Sequence, residues 1–112
     1  MSAKPVLPRE QAHRDAEAAI DHYRNDGSEK VALEFVDDLE RAYARISRNP
    51  DIGSLRYAHE LDLPGLRFVP LTRYPYLVFY IQRDDSIDVW RVLHAQRDIP
   101  ARMQTQDPSS TT

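Results

Sequence analysis

The sequence predicts an α+β domain in which a helical hairpin packs on a small antiparallel β-sheet, with the element order β-α-α-β-β-β. Three observations support this prediction. Apolar residues recur at helical spacing in two stretches of the first half of the chain. Three apolar segments rich in aromatic and β-branched residues follow in the second half, separated by short links. There is no cysteine, so the 112 residues must fold around one modest core without disulfides.

A short first strand is predicted at residues 3–7. Because proline cannot donate a backbone hydrogen bond, the prolines at positions 5 and 8 must lie in an edge strand or at the ends of the strand. The first helix is predicted from about Arg9. Its inward face consists of small and apolar residues at helical spacing: Ala12, Ala16, Ala19, Ile20 and Tyr23. Charged residues occupy other positions of the helix: Arg14, Asp15, Glu17 and Asp21. Gly27 is expected to end this helix in a left-handed conformation.

The second helix has the clearer pattern, and Ser28 is expected to cap its first turn. One stripe of the helix is apolar: Ala32, Phe35, Val36, Leu39, Ala42, Tyr43 and Ile46. The acidic run from Glu34 to Glu40 is interpreted as a solvated face. Because Pro50 disfavours a helical conformation in the residue before it, the helix should end near Arg48. Residues 51–64 are then predicted to be a connecting loop.

Three further strands are predicted, at residues 66–71, 76–83 and 86–93. Short links allow only antiparallel pairing, because a parallel crossover requires a dozen or more residues. Asp84 and Asp85 fit a tight turn between the last two strands. Residues 95–103 are compatible with one helical turn. The domain is therefore expected to span residues 1–104, followed by a disordered polar tail at 105–112.

The middle strand of this meander is apolar at every position from Tyr76 to Ile81. A sheet with one solvated face should instead alternate apolar and polar residues, so both faces of this strand require cover. Two helices can cover one face. The other is left either for the loops and C-terminal segment of the chain itself or for another protein, and the sequence does not decide between these alternatives.

Composition excludes several functional classes. A formal net charge of −3 disfavours general binding to the nucleic-acid backbone, and we expect no sequence-specific DNA binding by this chain alone. No apolar stretch is long enough to span a membrane and the N-terminus does not resemble a signal peptide, so we expect a cytoplasmic protein. The four histidines lack metal-ligand spacing, and no glycine-rich phosphate loop or nucleophile elbow is present. We therefore predict no metal and no cofactor.

Several short motifs occur in a characteristic order. They are Pro50-Asp51-Ile52-Gly53-Ser54 followed by Arg56, Gly65-Leu66-Arg67, the run from Tyr74 to Tyr80, Val92-Leu93-His94, and Arg97-Asp98-Ile99-Pro100. Together they resemble the ParE branch of the RelE/ParE toxin superfamily, over roughly residues 10–100. The resemblance implies a bacterial type II toxin with the α+β fold predicted above. It also implies a cognate antitoxin as partner, either ParD-like or of another DNA-binding class.

The resemblance leaves the target open. ParE-like relatives poison DNA gyrase, whereas RelE-like relatives cleave messenger RNA on the ribosome. RNA cleavage requires a base, an acid and cations that stabilise the charge developing at phosphorus. Here the two lysines precede the sheet and no Tyr or His follows His94. The sequence therefore favours a gyrase inhibitor that acts by protein binding. A ribosome-dependent endoribonuclease and a non-toxic antitoxin-binding module are the alternatives.

Candidate site residues follow from these alternatives. Contact with the target is predicted for five basic residues: Arg56, Arg67, Arg73, His94 and Arg97. If the chain is a nuclease, the catalytic candidates are Arg67, Arg73, His94 and Arg97. Contact with the antitoxin is predicted for the aromatic and apolar residues Tyr76, Val78, Tyr80 and Trp90.

Two of the basic candidates, Arg67 and His94, also have a structural interpretation. Arg67 could pair with Asp98 or Glu60, since an arginine among apolar strand residues requires a partner. Arg91, although not a site candidate, is predicted to form a buried or half-buried ion pair. His94 is predicted to share a strand face with Trp90 and Val92, as a packed edge residue.

Overall fold

A computed structural model describes residues 3–97 and 99–104 and confirms the predicted element order. The elements are β1 (Val6–Pro8), α1 (Glu10–Asp26), α2 (Glu29–Arg48), a 3₁₀ turn (Pro50–Ile52), α3 (Arg56–Glu60), β2 (Leu66–Pro70), β3 (Tyr76–Gln82), β4 (Ile87–His94) and α4 (Ile99–Gln104). Residues 51–64 are therefore not a plain loop, because they contain part of the 3₁₀ turn and all of α3. The predicted tail at 105–112 lies outside the described residues.

The sheet has four strands in the order β1-β4-β3-β2. β2, β3 and β4 pair antiparallel, as the short links predict. β1 pairs parallel with β4, opposite Ile87 to Val89, so the sheet is mixed and not purely antiparallel as predicted. Parallel pairing is possible here because the whole helical hairpin and the meander lie between β1 and β4 along the chain.

The two long helices begin and end close to the predicted residues. The hydroxyl of Ser28 accepts a hydrogen bond from the Val31 N–H at 3.2 Å and so caps α2. Gly27 ends α1, but with φ −120° and not in the predicted left-handed conformation. Its N–H donates to the carbonyl of Tyr23 at 2.9 Å. In the described part of the chain no helix is both long and apolar enough to cross a membrane.

The first hydrophobic core lies between the helical hairpin and one face of the sheet. Both helices contribute the small and apolar positions that the sequence predicts, and β3 contributes Val78 and Tyr80. At one end of this core an aromatic group joins the helices to β3, with Phe35 in edge contact with Tyr74 and Tyr76. The hairpin is therefore fixed on the sheet mainly by apolar burial.

The second face of the sheet is covered by the chain itself. α3 places Tyr57 against Phe68 and Phe79, with ring centroids 5.6 and 5.9 Å apart. α4 adds Ile99 and Met103, both buried, to the same cluster. This second core explains why β3 is apolar on both sides. It also means that the apolar sheet face is not an open surface for another protein.

A β-bulge in β4 changes which residues share a face. Phe79 pairs with Arg91, but the next residue of β3, Tyr80, pairs with Val89, so Trp90 is an extra residue in β4. Val92 consequently packs in the first core, whereas Trp90 packs against the second. The prediction that Trp90 and Val92 share a face is therefore wrong, because simple alternation does not hold across a bulge.

Candidate functional site

The predicted target-contacting residues lie at two different ends of the sheet. Arg67 is opposite Tyr80, whereas His94 is opposite Tyr76. Four positions of β3 separate these pairs, which corresponds to about 13 Å along the strand. The four residues predicted as catalytic for a nuclease therefore do not form one cluster.

At the first end, β3 holds the segment that follows α2, which we call the anchored loop (residues 50–55). The buried hydroxyl of Tyr80 donates to the carbonyl of Pro50 at 2.7 Å and accepts from the Gly53 N–H at 3.0 Å. A Cβ atom on residue 53 would lie 2.5 Å from that hydroxyl oxygen. Glycine is therefore required here by the close approach of the backbone to Tyr80. Burial raises the pKa of Tyr80, although the Gly53 N–H and Arg67 oppose the shift.

Arg67 holds the same loop from β2. Its Nη1 donates to the carbonyl oxygens of Asp51 and Gly53, at 3.1 and 2.8 Å. Its Nη2 lies 3.7 Å from the Asp51 carboxylate. The predicted pairing with Glu60 is wrong, because the loop carbonyls occupy this guanidinium, and Asp98 lies outside the described residues. Nη1 of Arg67 is thus used within the chain.

Ser54 completes the anchoring of the loop. It forms an isolated antiparallel bridge with Phe68, with N–H to carbonyl distances of 2.9 and 3.0 Å, and this bridge covers part of the outer edge of β2. Its hydroxyl accepts from the Arg56 N–H at 3.1 Å. The guanidinium of Arg56 lies 5.3 Å from the centre of the Tyr57 ring, and the residue is exposed to solvent.

At the other end of the sheet, a groove of about 590 Å³ runs between α1 and β4, and we call it the α1–β4 groove. It collects two predicted target residues, His94 and Arg97, and one predicted antitoxin residue, Tyr76. The remaining lining comes from α1, β4 and the segment that contains α4: Asp15, Ala18, Ala19, His22, Arg91, Val92, Leu93, Gln96 and Arg102. β1 pairs with β4 only as far as Val89, so this part of β4 has no second neighbouring strand among the described residues.

The groove is closed at its base by the ion pair predicted for Arg91. Nε and Nη2 of Arg91 donate to the two carboxylate oxygens of Asp15, at 2.7 and 2.9 Å. Nη1 donates to the carbonyl of Arg102 in α4 at 2.8 Å. Asp15 also accepts from the Val92 N–H at 3.0 Å. The sequence predicted an ion-pair partner for Arg91. It did not identify Asp15 as that partner, because Asp15 was interpreted as one of the polar positions of the first helix.

His94 lies at the rim of this groove. Its Nδ1 accepts a hydrogen bond from the Gln96 N–H at 3.1 Å, so in the neutral imidazole the proton is assigned to Nε2. In that tautomer Nε2 carries the proton and is a hydrogen-bond donor. The ring is in edge contact with Tyr76 at 5.2 Å. Burial raises the pKa of Tyr76 and the positive charge of Arg97 opposes the shift, which places Arg97 within electrostatic reach of the phenol.

Arg73 lies on the link between β2 and β3, at the same end of the sheet as His94, but it does not line the α1–β4 groove. Its N–H and that of Tyr74 both donate to Oδ2 of Asp38, at 2.8 and 3.1 Å. The Tyr74 hydroxyl donates to the Val31 carbonyl at 3.3 Å. α2 therefore holds the link at two points while the Arg73 side chain remains exposed. The interpretation of residues 34–40 as a solvated face is wrong for Asp38, which is 1% exposed.

The predicted antitoxin-contacting residues have very different exposures. Val78 and Tyr80 are both 0% exposed in the first core, so neither offers a surface to a partner, and these two predictions are wrong for this conformation. Tyr76 lines the α1–β4 groove. Trp90 is half-buried on the opposite face, with the guanidinium of Arg9 4.0 Å from its ring centre.

Asp88 organises the surroundings of Trp90. It accepts from Arg9 at 3.0 and 3.1 Å, from Arg83 at 3.0 Å and from the Trp90 indole N–H at 3.2 Å. Burial alone would raise the pKa of Asp88, but the hydrogen bonds from the two arginines outweigh burial and lower it. Within residues 3–97 and 99–104, no three His, Asp or Glu side chains are grouped so as to hold a metal ion.

Comparison with known proteins gives a consistent result. A family model described as "ParE toxin of type II toxin-antitoxin system, parDE" matches residues 6–99. The fold is similar to a solved chain described as "Chromosomal ParDE TA system from P. aeruginosa", with a TM-score of 0.70 and 21% sequence identity. That alignment covers 84% of this chain and 98% of the solved chain. No curated protein matches the sequence.

Proposed function

This chain belongs to the ParE toxin family of type II toxin-antitoxin systems, and from that membership we propose that it is a toxin that inhibits DNA gyrase by binding the enzyme. The observation that carries this proposal is that Arg67 lies at the opposite end of the sheet from His94 and Arg97. A binding surface can tolerate such a separation, whereas a nuclease requires its base, acid and cations within reach of one phosphate.

Two local contacts support a binding role over ribonuclease catalysis. Nη1 of Arg67 donates to the carbonyl oxygens of Asp51 and Gly53 in the anchored loop, so this side chain is poorly placed to stabilise charge on a substrate phosphate. His94 uses Nδ1 as an acceptor for the Gln96 N–H, which leaves Nε2 as a donor. A general base must accept the proton of the attacking hydroxyl. The described residues therefore supply cations but no correctly placed base at His94.

We infer that the toxin is kept inactive in the cytoplasm by a ParD-like antitoxin, and that the α1–β4 groove is part of the antitoxin contact. Tyr76 lies in this groove, and a half-exposed tyrosine with an apolar ring and a polar tip is a common interface anchor. Arg97 is exposed at the same rim and suits a carboxylate of the partner. Trp90 lies on the other face, so an antitoxin that contacts both must pass around the edge of β4.

A supercoiling assay tests the proposed target. The toxin is purified as its complex, separated from antitoxin under denaturing conditions and refolded, then titrated against gyrase and relaxed plasmid. We expect supercoiling to fall and cleaved DNA to accumulate, and antitoxin added back should restore supercoiling. Normal supercoiling at a large toxin excess contradicts the proposal. Primer extension on translated messages, run in parallel, would reveal cuts within codons if the chain is instead an endoribonuclease.

A further inference from the structure

The anchored loop (residues 50–55) displays two apolar side chains that the fold does not use. Ile52 is 41% exposed and Leu55 is 47% exposed. Only two other large apolar side chains among the described residues are comparably exposed, Leu7 and Leu33, and they lie on separate elements. Single exposed apolar residues are common on protein surfaces, but two within four positions of one rigid loop form a potential contact point.

The hydrogen bonds that fix this loop leave both side chains free. Tyr80 and Arg67 hold the backbone of residues 50, 51 and 53, on either side of Ile52. The bridge from Ser54 to Phe68 fixes the residue directly before Leu55. A loop ordered in this way loses little conformational entropy when it binds a partner. The fold thus holds Ile52 and Leu55 in place while leaving each of them partly exposed.

The charges beside the loop indicate the chemistry of a partner. Arg48 precedes the loop and Arg56 follows it, and both are exposed. The carboxylate within the loop, Asp51, is 3.7 Å from Arg67 and is therefore partly compensated. Although the whole chain has a net charge of −3, the loop and the residues beside it in the sequence combine two partly exposed apolar residues with two exposed arginines. Its complement is an apolar recess bordered by carboxylates.

We propose that the anchored loop is the surface through which the toxin contacts its protein target, with Ile52 and Leu55 inserted into an apolar recess and Arg48 and Arg56 paired with acidic residues at its rim. The identity of that target as gyrase rests on the proposed function above. The loop lies at the opposite end of the sheet from the α1–β4 groove. Substitutions in the loop should therefore separate target binding from antitoxin binding.

The main test is the double substitution Ile52→Ser with Leu55→Ser. Because both residues are partly exposed and lie outside the two hydrophobic cores, the loss of folding stability should be smaller than for a core substitution. We expect at least a tenfold loss of gyrase inhibition and a matching loss of growth arrest on induced expression, with unchanged antitoxin affinity. Leu33→Ser is the matched control, since Leu33 is 59% exposed on α2, and it should alter none of these quantities.

Two further variants test the chemistry and the rigidity of the surface. Charge reversal at Arg56 (Arg56→Glu) should weaken gyrase inhibition, and the deficit should shrink as salt is raised, because added salt screens the new repulsion. Tyr80→Phe retains the buried ring but removes the hydroxyl that holds Pro50 and Gly53. It should weaken inhibition by a smaller factor than the double substitution and leave antitoxin affinity unchanged.

The readouts distinguish failure of this proposal from failure of the proposed function. If wild-type toxin does not inhibit gyrase, the target assignment is wrong, but growth arrest still tests the loop. A double variant that arrests growth as strongly as wild type overturns the loop proposal, whatever the target. If the double variant binds the antitoxin more weakly than wild type, the loop contacts the antitoxin instead. If wild type is a dimer and the double variant is a monomer, the loop contacts a second copy of the chain. Either result overturns the proposal.

Discussion

Asp15 on α1 and Asp38 on α2 are two inward-facing carboxylates with very different partners. Asp15 accepts two hydrogen bonds from the Arg91 guanidinium and one from the Val92 N–H. Asp38 accepts only from the backbone N–H groups of Arg73 and Tyr74, through one oxygen. Its other oxygen is buried and has no hydrogen-bond partner among the described residues.

The difference shows that a buried carboxylate can perform two separate structural tasks. Asp15, with Arg91, connects α1, β4 and α4, and therefore determines how distant elements are placed. Asp38 fixes the local conformation of the link between β2 and β3, and with it the position of the exposed Arg73. Loss of the first should disturb global stability, because an unpaired charge in the interior is costly. Loss of the second should be milder and more local.

The largest effect is expected for Arg91→Met. This substitution leaves the Asp15 carboxylate buried without its cation, and we expect the free energy of unfolding to fall by about 3–5 kcal/mol. Urea denaturation followed by tryptophan fluorescence would measure the change, since Trp90 is adjacent in sequence.

A second variant tests whether the unpaired charge of Asp15 causes the loss of stability in Arg91→Met. In Asp15→Leu with Arg91→Met both charges are absent, and replacing a whole buried pair with apolar residues is often close to neutral. The double variant should therefore recover most of the stability that the single variant loses, apart from about 1 kcal/mol for the Val92 N–H that loses its acceptor. A double variant as unstable as Arg91→Met would show that packing, and not the unpaired charge, accounts for the loss.

A smaller effect is expected at Asp38. Asp38→Ala removes the acceptor for two partly buried N–H groups, and we expect a loss of about 2 kcal/mol. Asp38→Asn retains a carbonyl oxygen for those donors and should lose less than about 1 kcal/mol. Thermal unfolding of both variants would measure the difference. Equal losses for Ala and Asn would mean that the charge of Asp38, and not its acceptor, stabilises the link.

The sequence predicted these two regions unequally well. It identified both helices and the need of Arg91 for a buried partner, because helical periodicity and an arginine among apolar strand residues are local signals. It did not identify Asp15 or Asp38, because an inward carboxylate in a helix of mixed charge has the same local pattern as a solvated one. Only the packing of each helix on the sheet separates the two cases.

The candidate site was predicted less well than the fold, also for physical reasons. The extra residue Trp90 in β4 breaks the alternation from which the strand faces were inferred. Val78 and Tyr80 are buried because the helical hairpin covers their face of the sheet, and the sequence did not establish which residues of β3 point to that face. The other face is covered by α3, which lies in a segment that the sequence indicated as a loop. The motif that includes Gly53 was recognised, but its contact with the Tyr80 hydroxyl joins residues far apart in sequence.

At neutral pH the smallest effect is expected for Tyr43→Phe, because its influence on stability should appear only at alkaline pH. Burial, with a further contribution from the negative charge of Asp15, raises the pKa of Tyr43 from 10.0 to about 12. Because the folded chain binds the phenolic proton more tightly than the unfolded chain, the stabilisation is fully present below pH 10 and is lost as the pH rises to about 12. Stability measured by urea denaturation at several pH values should fall less steeply in Tyr43→Phe than in wild type, by at most about 1.4 kcal/mol per pH unit. At pH 7 the two proteins should differ little in stability. If their plots of stability against pH run parallel between pH 10 and 12, Tyr43 has the same pKa in the folded and unfolded chains, and burial does not raise it.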